Sequence, residues 1–148
     1  WWNKVDLRWN DLRLKALDLL KKEQRLEQIV KLIGNDALPD TEKLVLIVCA
    51  ILKNGFLQQN DFDTIDVYSV PEKEVSILQL IIDFYSRSLS LIKQGCPIIK
   101  LSTLPIIEKI VRIKNTVAND ELFKIVEIQQ EFDSIFTDIE TEYKRAEI

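Results

Sequence analysis

The chain has 148 residues, 47% hydrophobic and 30% charged, with no low-complexity tract. That is the composition of one folded domain able to bury a real core, and it excludes a disordered or fibrous chain. Twenty basic residues against 24 acidic ones leave a net charge of -4 with no basic block, which argues against nucleic acid as the main partner.

The sequence opens on Trp1-Trp2-Asn3-Lys4, with no charged-then-apolar leader and no methionine anywhere, and so reads as a piece cut from a longer protein. The first predicted helix covers residues 6–33, where Leu12, Ala16, Leu19, Leu20, Leu26, Ile29, Val30 and Ile33 recur at spacings of three and four. Gly34 closes it and Pro39 opens the next, which runs over residues 40–54. Within it lies the longest apolar run, Leu44 to Leu52, far shorter than the roughly 20 residues a membrane-spanning helix needs, so no direct membrane insertion is expected. By periodicity that run also fits a buried strand. The proline with Asp40 and Glu42 before it and Gly55 after it favour a helix.

A segment without helical signals follows over residues 56–70, long enough that such loops are usually functional. The next helices are predicted over residues 71–93 and within 105–114, with a turn of helix before the latter. The last is predicted over residues 119–145, with Ile125, Ile128, Phe132, Ile135, Ile139 and Tyr143 on one stripe. That stripe is the core side of a surface helix or a docking face for a partner. All three glycines, Gly34, Gly55 and Gly95, are read as left-handed helix ends. The fold class is all-α, five to six helices in a compact bundle forming a single domain.

The chemistry is sparse. There is no histidine, no GxxxxGK[ST] and no GxGxxG, so the commonest general base and any phosphate-cradling loop are missing. Cys49 sits in an apolar run and Cys96 in a Gly-Cys-Pro turn, and without CxxC or histidine partners they make neither a disulfide framework nor a metal site, which fits a reduced, intracellular setting. No catalytic residue is assigned, and a self-sufficient enzyme would need a carboxylate pair that the spacing does not propose.

Four stretches in order carry a resemblance: WWNKVD, LEQIVKLIGNDALPDTEKLVL, FLQQNDFDTIDVY and VPEKE. Together they resemble the C-terminal helical domain of the catalytic A subunit of V-type and A-type rotary ATPases. A weaker similarity runs to the catalytic β subunit of F-type ATP synthases, where a DELSEED turn follows the first helix. The resemblance implies ATP hydrolysis or synthesis coupled to ion transport across a membrane by the intact enzyme, cytoplasmic and peripheral on that membrane. It implies that Asp36, Ala37, Leu38, Pro39, Asp40, Thr41 and Glu42 form the turn that meets the central rotor stalk. It places Phe62 and Tyr68 against the adenine of ATP or ADP, with Asp61 and Gln59 beside them and Phe56 as an anchor in the core. Gln58, Gln59 and Asn60 hydrogen-bond the ring edge or satisfy the loop's own backbone.

The Mg2+ ligands, the phosphate loop and the catalytic carboxylate then belong to a nucleotide-binding domain absent from this chain. Alone the fragment is expected to be inactive and to bind no cofactor. The implied partners are that domain, the neighbouring non-catalytic B subunits and the rotor stalk. The other reading of the same residues is a free-standing helical protein–protein interaction module that grips a partner helix through the Phe62 and Tyr68 loop or through the last helix.

Overall fold

The computed structural model describes residues 8–57 and 70–146, and these hold seven α-helices and no strand. Helix α1 (Trp9–Ile33) buries Leu12, Ala16, Leu19 and Leu26 on one face. It stops at Gly34, whose φ of 85° and ψ of 159° lie in a region open essentially to glycine alone. A 3-10 turn (Asn35–Ala37) and Pro39 lead into α2 (Asp40–Leu52), where Asp40 and Glu42 complement the positive helix start.

The apolar run that also fitted a strand is helical. It buries Leu44, Val45, Val48, Cys49, Ile51 and Leu52, and α2 packs between α1 and α3. Inside it the Cys49 thiol donates to the Leu19 carbonyl at 3.3 Å, and burial pushes its pKa up to about 12.

Helix α2 passes straight into a π-helical turn (Lys53–Leu57), so Gly55 is not the left-handed terminator expected. Among the described residues only Gly34 and Gly95 have positive φ. What Gly55 provides is close approach: a Cβ there would stand 3.1 Å from the Val111 Cα.

Helix α3 (Pro71–Lys93) has the bounds expected. It ends in a Schellman motif at Gly95, with Cys96 N–H donating to the Leu91 carbonyl at 2.9 Å and Gly95 N–H to the Ile92 carbonyl at 3.0 Å. With a mean hydropathy of 1.3 in its most apolar window, α3 is long and apolar enough to span a membrane, a property that counting unbroken apolar runs overlooks. Here Val75, Ile77, Leu78, Leu80, Ile81, Ile82, Phe84 and Leu91 are buried against protein, as in the central helix of a packed domain.

Three short helices follow, α4 (Ile98–Ser102), α5 (Ile106–Val111) and α6 (Ile113–Thr116), more than the one helix and preceding turn expected. Helix α7 (Phe123–Ala146) turns its stripe inward: Ile125, Phe132, Phe136 and Ile139 are buried, and Ile128, Ile135 and Tyr143 pack against them. Phe136 meets Phe84 edge-on at 5.8 Å and Phe132 at 4.6 Å between ring centroids.

Candidate functional site

Two places in this fold carry the residues singled out by the sequence. The first is the tip of the hairpin formed by α1 and α2. The 3-10 turn leaves Asp36 and Ala37 exposed, and Pro39 beside them is exposed too. Leu38, in contrast, is buried. Asp40 is half-buried and its carboxylate accepts the Ile98 backbone N–H at 3.0 Å, which ties the start of α2 to the start of α4. Thr41 and Glu42 are half-buried and help to line a groove of about 410 Å³ beside Arg25, Leu26, Ile29 and Tyr85.

The tip is also flanked by unburied apolar residues. Leu32 is 86% exposed and Ile33 61%, so the last turn of α1 presents aliphatic surface next to Asp36. Sequence reasoning passed over Leu32 and put Ile33 on the inner face. The helical period places Leu32 off the stripe that holds Leu19 and Leu26.

The second place is the foot of the segment that carries the aromatics. Phe62, Tyr68, Asp61 and Gln59, with Gln58 and Asn60, lie outside the described residues. Phe56 at the near end packs against the core, its ring centroid 6.2 Å from that of Trp9. The Lys114 Nζ donates to the Phe56 carbonyl and stands 5.2 Å from the Phe56 ring centroid. It also pairs with Glu74 at 3.4 Å, and this pair is sheltered, at 12% and 13% side-chain exposure. Behind it Lys73 is wholly buried and donates from Nζ to the Lys114 carbonyl at 3.2 Å. At the far end the Val70 N–H donates to Asn119 Oδ1 at 3.2 Å.

None of Lys73, Glu74, Lys114 and Asn119 was singled out from sequence. A signal existed for Lys73, which stands four residues before Ile77 and seven before Leu80, both buried, so its helical position is on the apolar face of α3. A buried lysine is rare unless it is paired or hydrogen-bonded.

Elsewhere the chemistry is thin. Among the described residues no group of three or more His, Cys, Asp or Glu side chains is placed to hold a metal ion. Grooves on this surface hold single carboxylates, Glu42, Glu140 and Glu108, in three separate places. Glu23, buried on α1, pairs with Lys53 at 2.6 Å and fastens the π-helical turn, and that hydrogen bond raises the Lys53 ammonium pKa.

Against known proteins, the family described as the C-terminal domain of V and A type ATP synthase matches residues 1–102. The chain is 39% identical to the A subunit of the A-type ATP synthase of Thermococcus onnurineus over 144 residues, covering 97% of this chain and 24% of that protein. It is 38% identical to the A subunit of the Desulfurococcus sp. enzyme over 138 residues, 92% of this chain and 24% of that protein. To that of Sulfolobus acidocaldarius it is 39% identical over 151 aligned positions, 94% of this chain and 25% of that protein. The chain thus spans about a quarter of the length of these relatives. With the family pattern matched over most of its length and set on an all-α fold, the chain belongs to the family of C-terminal domains of V- and A-type ATP synthases.

Proposed function

We propose that this chain works as the lever of a rotary ATP synthase catalytic subunit, joined to a nucleotide-binding domain that supplies the phosphate loop, the Mg2+ ligands and the catalytic carboxylate. The intact enzyme couples ATP hydrolysis or synthesis to ion transport and sits peripherally on the cytoplasmic side of a membrane. Its partners are the nucleotide-binding domain, the neighbouring non-catalytic subunits and the central rotor stalk.

One observation carries the lever reading: the α1–α2 tip projects Asp36 and Ala37 beside the exposed side chains of Leu32 and Ile33. With Leu38 buried and Asp40 bonded to Ile98, the tip has less free charge than its sequence suggests. Aliphatic contact, a steric push, suits it better than electrostatic repulsion, because exposed charges lose most of their mutual energy to water.

Phe62 and Tyr68 form the apolar wall of the adenine site, with Asp61 and Gln59 at its edge. Stacking of a base on an aromatic face contributes about 1–3 kcal/mol and needs no charge. The test is Phe62→Ala and Tyr68→Ala in the full-length protein, read as ATP affinity. Each is expected to weaken binding by about 5- to 150-fold, the equivalent of that stacking energy. Unchanged affinity in both variants overturns the adenine assignment.

A further inference from the structure

Helix α1 carries apolar surface on two sides. Its inner face holds Leu12, Ala16, Leu19 and Leu26 against the core. Yet of the nine large apolar side chains exposed among the described residues, five stand on this one helix: Leu14, Leu17, Ile29, Leu32 and Ile33. Leu32 and Ile33 belong to the tip. The other three lie along the shaft of the helix, where the lever reading has no use for them.

Leu14, Leu17, Lys21, Arg25 and Gln28 follow one another at spacings of three and four and are all exposed, so they form one outer strip about 21 Å long at the helical rise. The middle of the strip is basic. Neither Lys21 nor Arg25 forms an ion pair with a described residue, and the acid beside them, Asp18, is already held by Lys22 at 3.2 Å. On a chain of net charge -4 this is a local patch of the opposite sign. Beside Arg25, the groove that Ile29 and Tyr85 also line offers a seat for an aliphatic side chain from outside.

A pair of leucines followed by a pair of cations is complementary to a helix with two carboxylates three or four residues apart and aliphatic side chains about two turns along the same face. A second copy of this chain fits badly. A two-fold contact centred on the strip sets Lys21 and Arg25 against their own copies, and one strip covers well below the roughly 800 Å² per partner of a stable free-standing interface. A turning stalk also fits badly, since it has to leave each catalytic subunit in turn and a long matched strip slows release.

We propose that the outer strip of α1 docks lengthwise on an acidic, aliphatic helix of a stationary neighbouring subunit. This rests on the chain's place in a rotary ATP synthase, and not on contact between the tip and the stalk. Leu14 and Leu17 supply apolar burial. Lys21 and Arg25 select the register, because charge pairs across a contact discriminate among partners more than they strengthen it.

The test uses the full-length protein assembled into its complex, with the photo-crosslinking residue p-benzoylphenylalanine replacing Leu17. Irradiation is expected to join position 17 to a helix of a stationary subunit that bears two carboxylates at the stated spacing. Lys21→Glu combined with Arg25→Glu is expected to lower the crosslink yield at least about threefold, as the loss of two exposed charge pairs implies, with the melting temperature unchanged. Lysines in place of the two partner carboxylates are expected to recover most of the yield.

A crosslink confined to this chain, to a second copy or to the rotor stalk overturns the proposal. So does one to a helix without acids, or a yield indifferent to the two charge reversals. Flotation of the full-length protein with phosphatidylglycerol vesicles, abolished by the same reversals while no crosslink to protein forms, assigns the strip to a membrane surface and overturns it too. If the Leu17 replacement does not assemble, the same crosslinker at Gln28 decides by the same criteria. Should the full-length protein join no ATP-hydrolysing complex, the synthase reading fails and this inference with it; should it join one and give no crosslink, this inference alone fails.

Discussion

The carboxylate of Asp40 accepts the backbone N–H of Ile98 at 3.0 Å, joining two helix starts that lie 58 residues apart in sequence. An acid expected at the contact with the rotor stalk is thus used as the N-terminal cap of a neighbouring helix. The consequence for function is a division of labour within seven residues: Asp36 and Ala37 face outward, while Leu38 and Asp40 hold the turn to the body of the domain.

Asp40→Ala leaves the Ile98 N–H without its acceptor at a half-buried site. Loss of such a cap costs about 1–2 kcal/mol. Urea denaturation of the domain should show that loss with an unchanged slope. Asp36→Ala, at an exposed position, should change stability by less than about 0.5 kcal/mol. Equal effects for the two substitutions would contradict the inward role of Asp40.

Gly55→Ala tests close approach as distinct from backbone conformation. A Cβ at Gly55 meets the Val111 Cα at 3.1 Å, with two backbone oxygens at 3.7 Å, so the α5 segment has to move. Overpacking of this kind costs about 1–3 kcal/mol. Gly34→Ala meets no atom within 4 Å, and its cost comes from φ alone, about 1–3 kcal/mol. The two losses separate by a second substitution: Val111→Gly, which loosens α5 at the contact, should diminish the cost of Gly55→Ala and leave that of Gly34→Ala unchanged.

Asp83 provides a pH-dependent signature. Burial pushes its carboxyl pKa up, the Asp133 charge adds to this, and the Gln79 amide, Arg87 and Lys15 act against it. A folded-state pKa above the unfolded one means that the folded protein holds this proton more tightly. The contribution to stability is complete below the unfolded value and is lost as pH rises through the folded value. Asp83→Asn removes the ionisation and keeps a group able to meet Gln79. The variant should gain less than about 1 kcal/mol over the parent at pH 7, given the partial exposure, and the gain should vanish near pH 3. A gain independent of pH would assign the effect to packing instead.

Much of this fold was legible because its punctuation is local. Pro71 with two acids, and Gly95 at the other end, bound α3 at both termini, and Pro39 decided helix over strand for α2. What escaped depended on distant partners. Gly55 shows the same residue type whether it ends a helix or admits Val111, and only the fold brings α5 to it. Phe136 joins Phe132 in the core because the buried face of α7 is wider than one residue every three or four, so an adjacent position is also covered. In the turn proposed to face the rotor stalk, sequence supplied the acids but not their partners, and the Ile98 N–H is too remote along the chain to be foreseen. Lys73 is the reverse case: its phase on α3 announced burial, and its charge argued against it until Lys114 supplied a carbonyl.

Arg87 of α3 bonds Asp133 at 2.8 Å and Glu140 at 2.6 Å on α7, with its guanidinium carbon 5.5 Å and 5.4 Å from the centroids of the Phe132 and Phe136 rings. A planar cation held by two carboxylates and two rings resists sliding along the helix axis as well as separation. Helices α3 and α7 are thereby riveted, and close-packed side chains between them have low compressibility. Under the proposed lever role, force applied at Leu32 is then delivered across the domain as displacement, with little dissipated in bending.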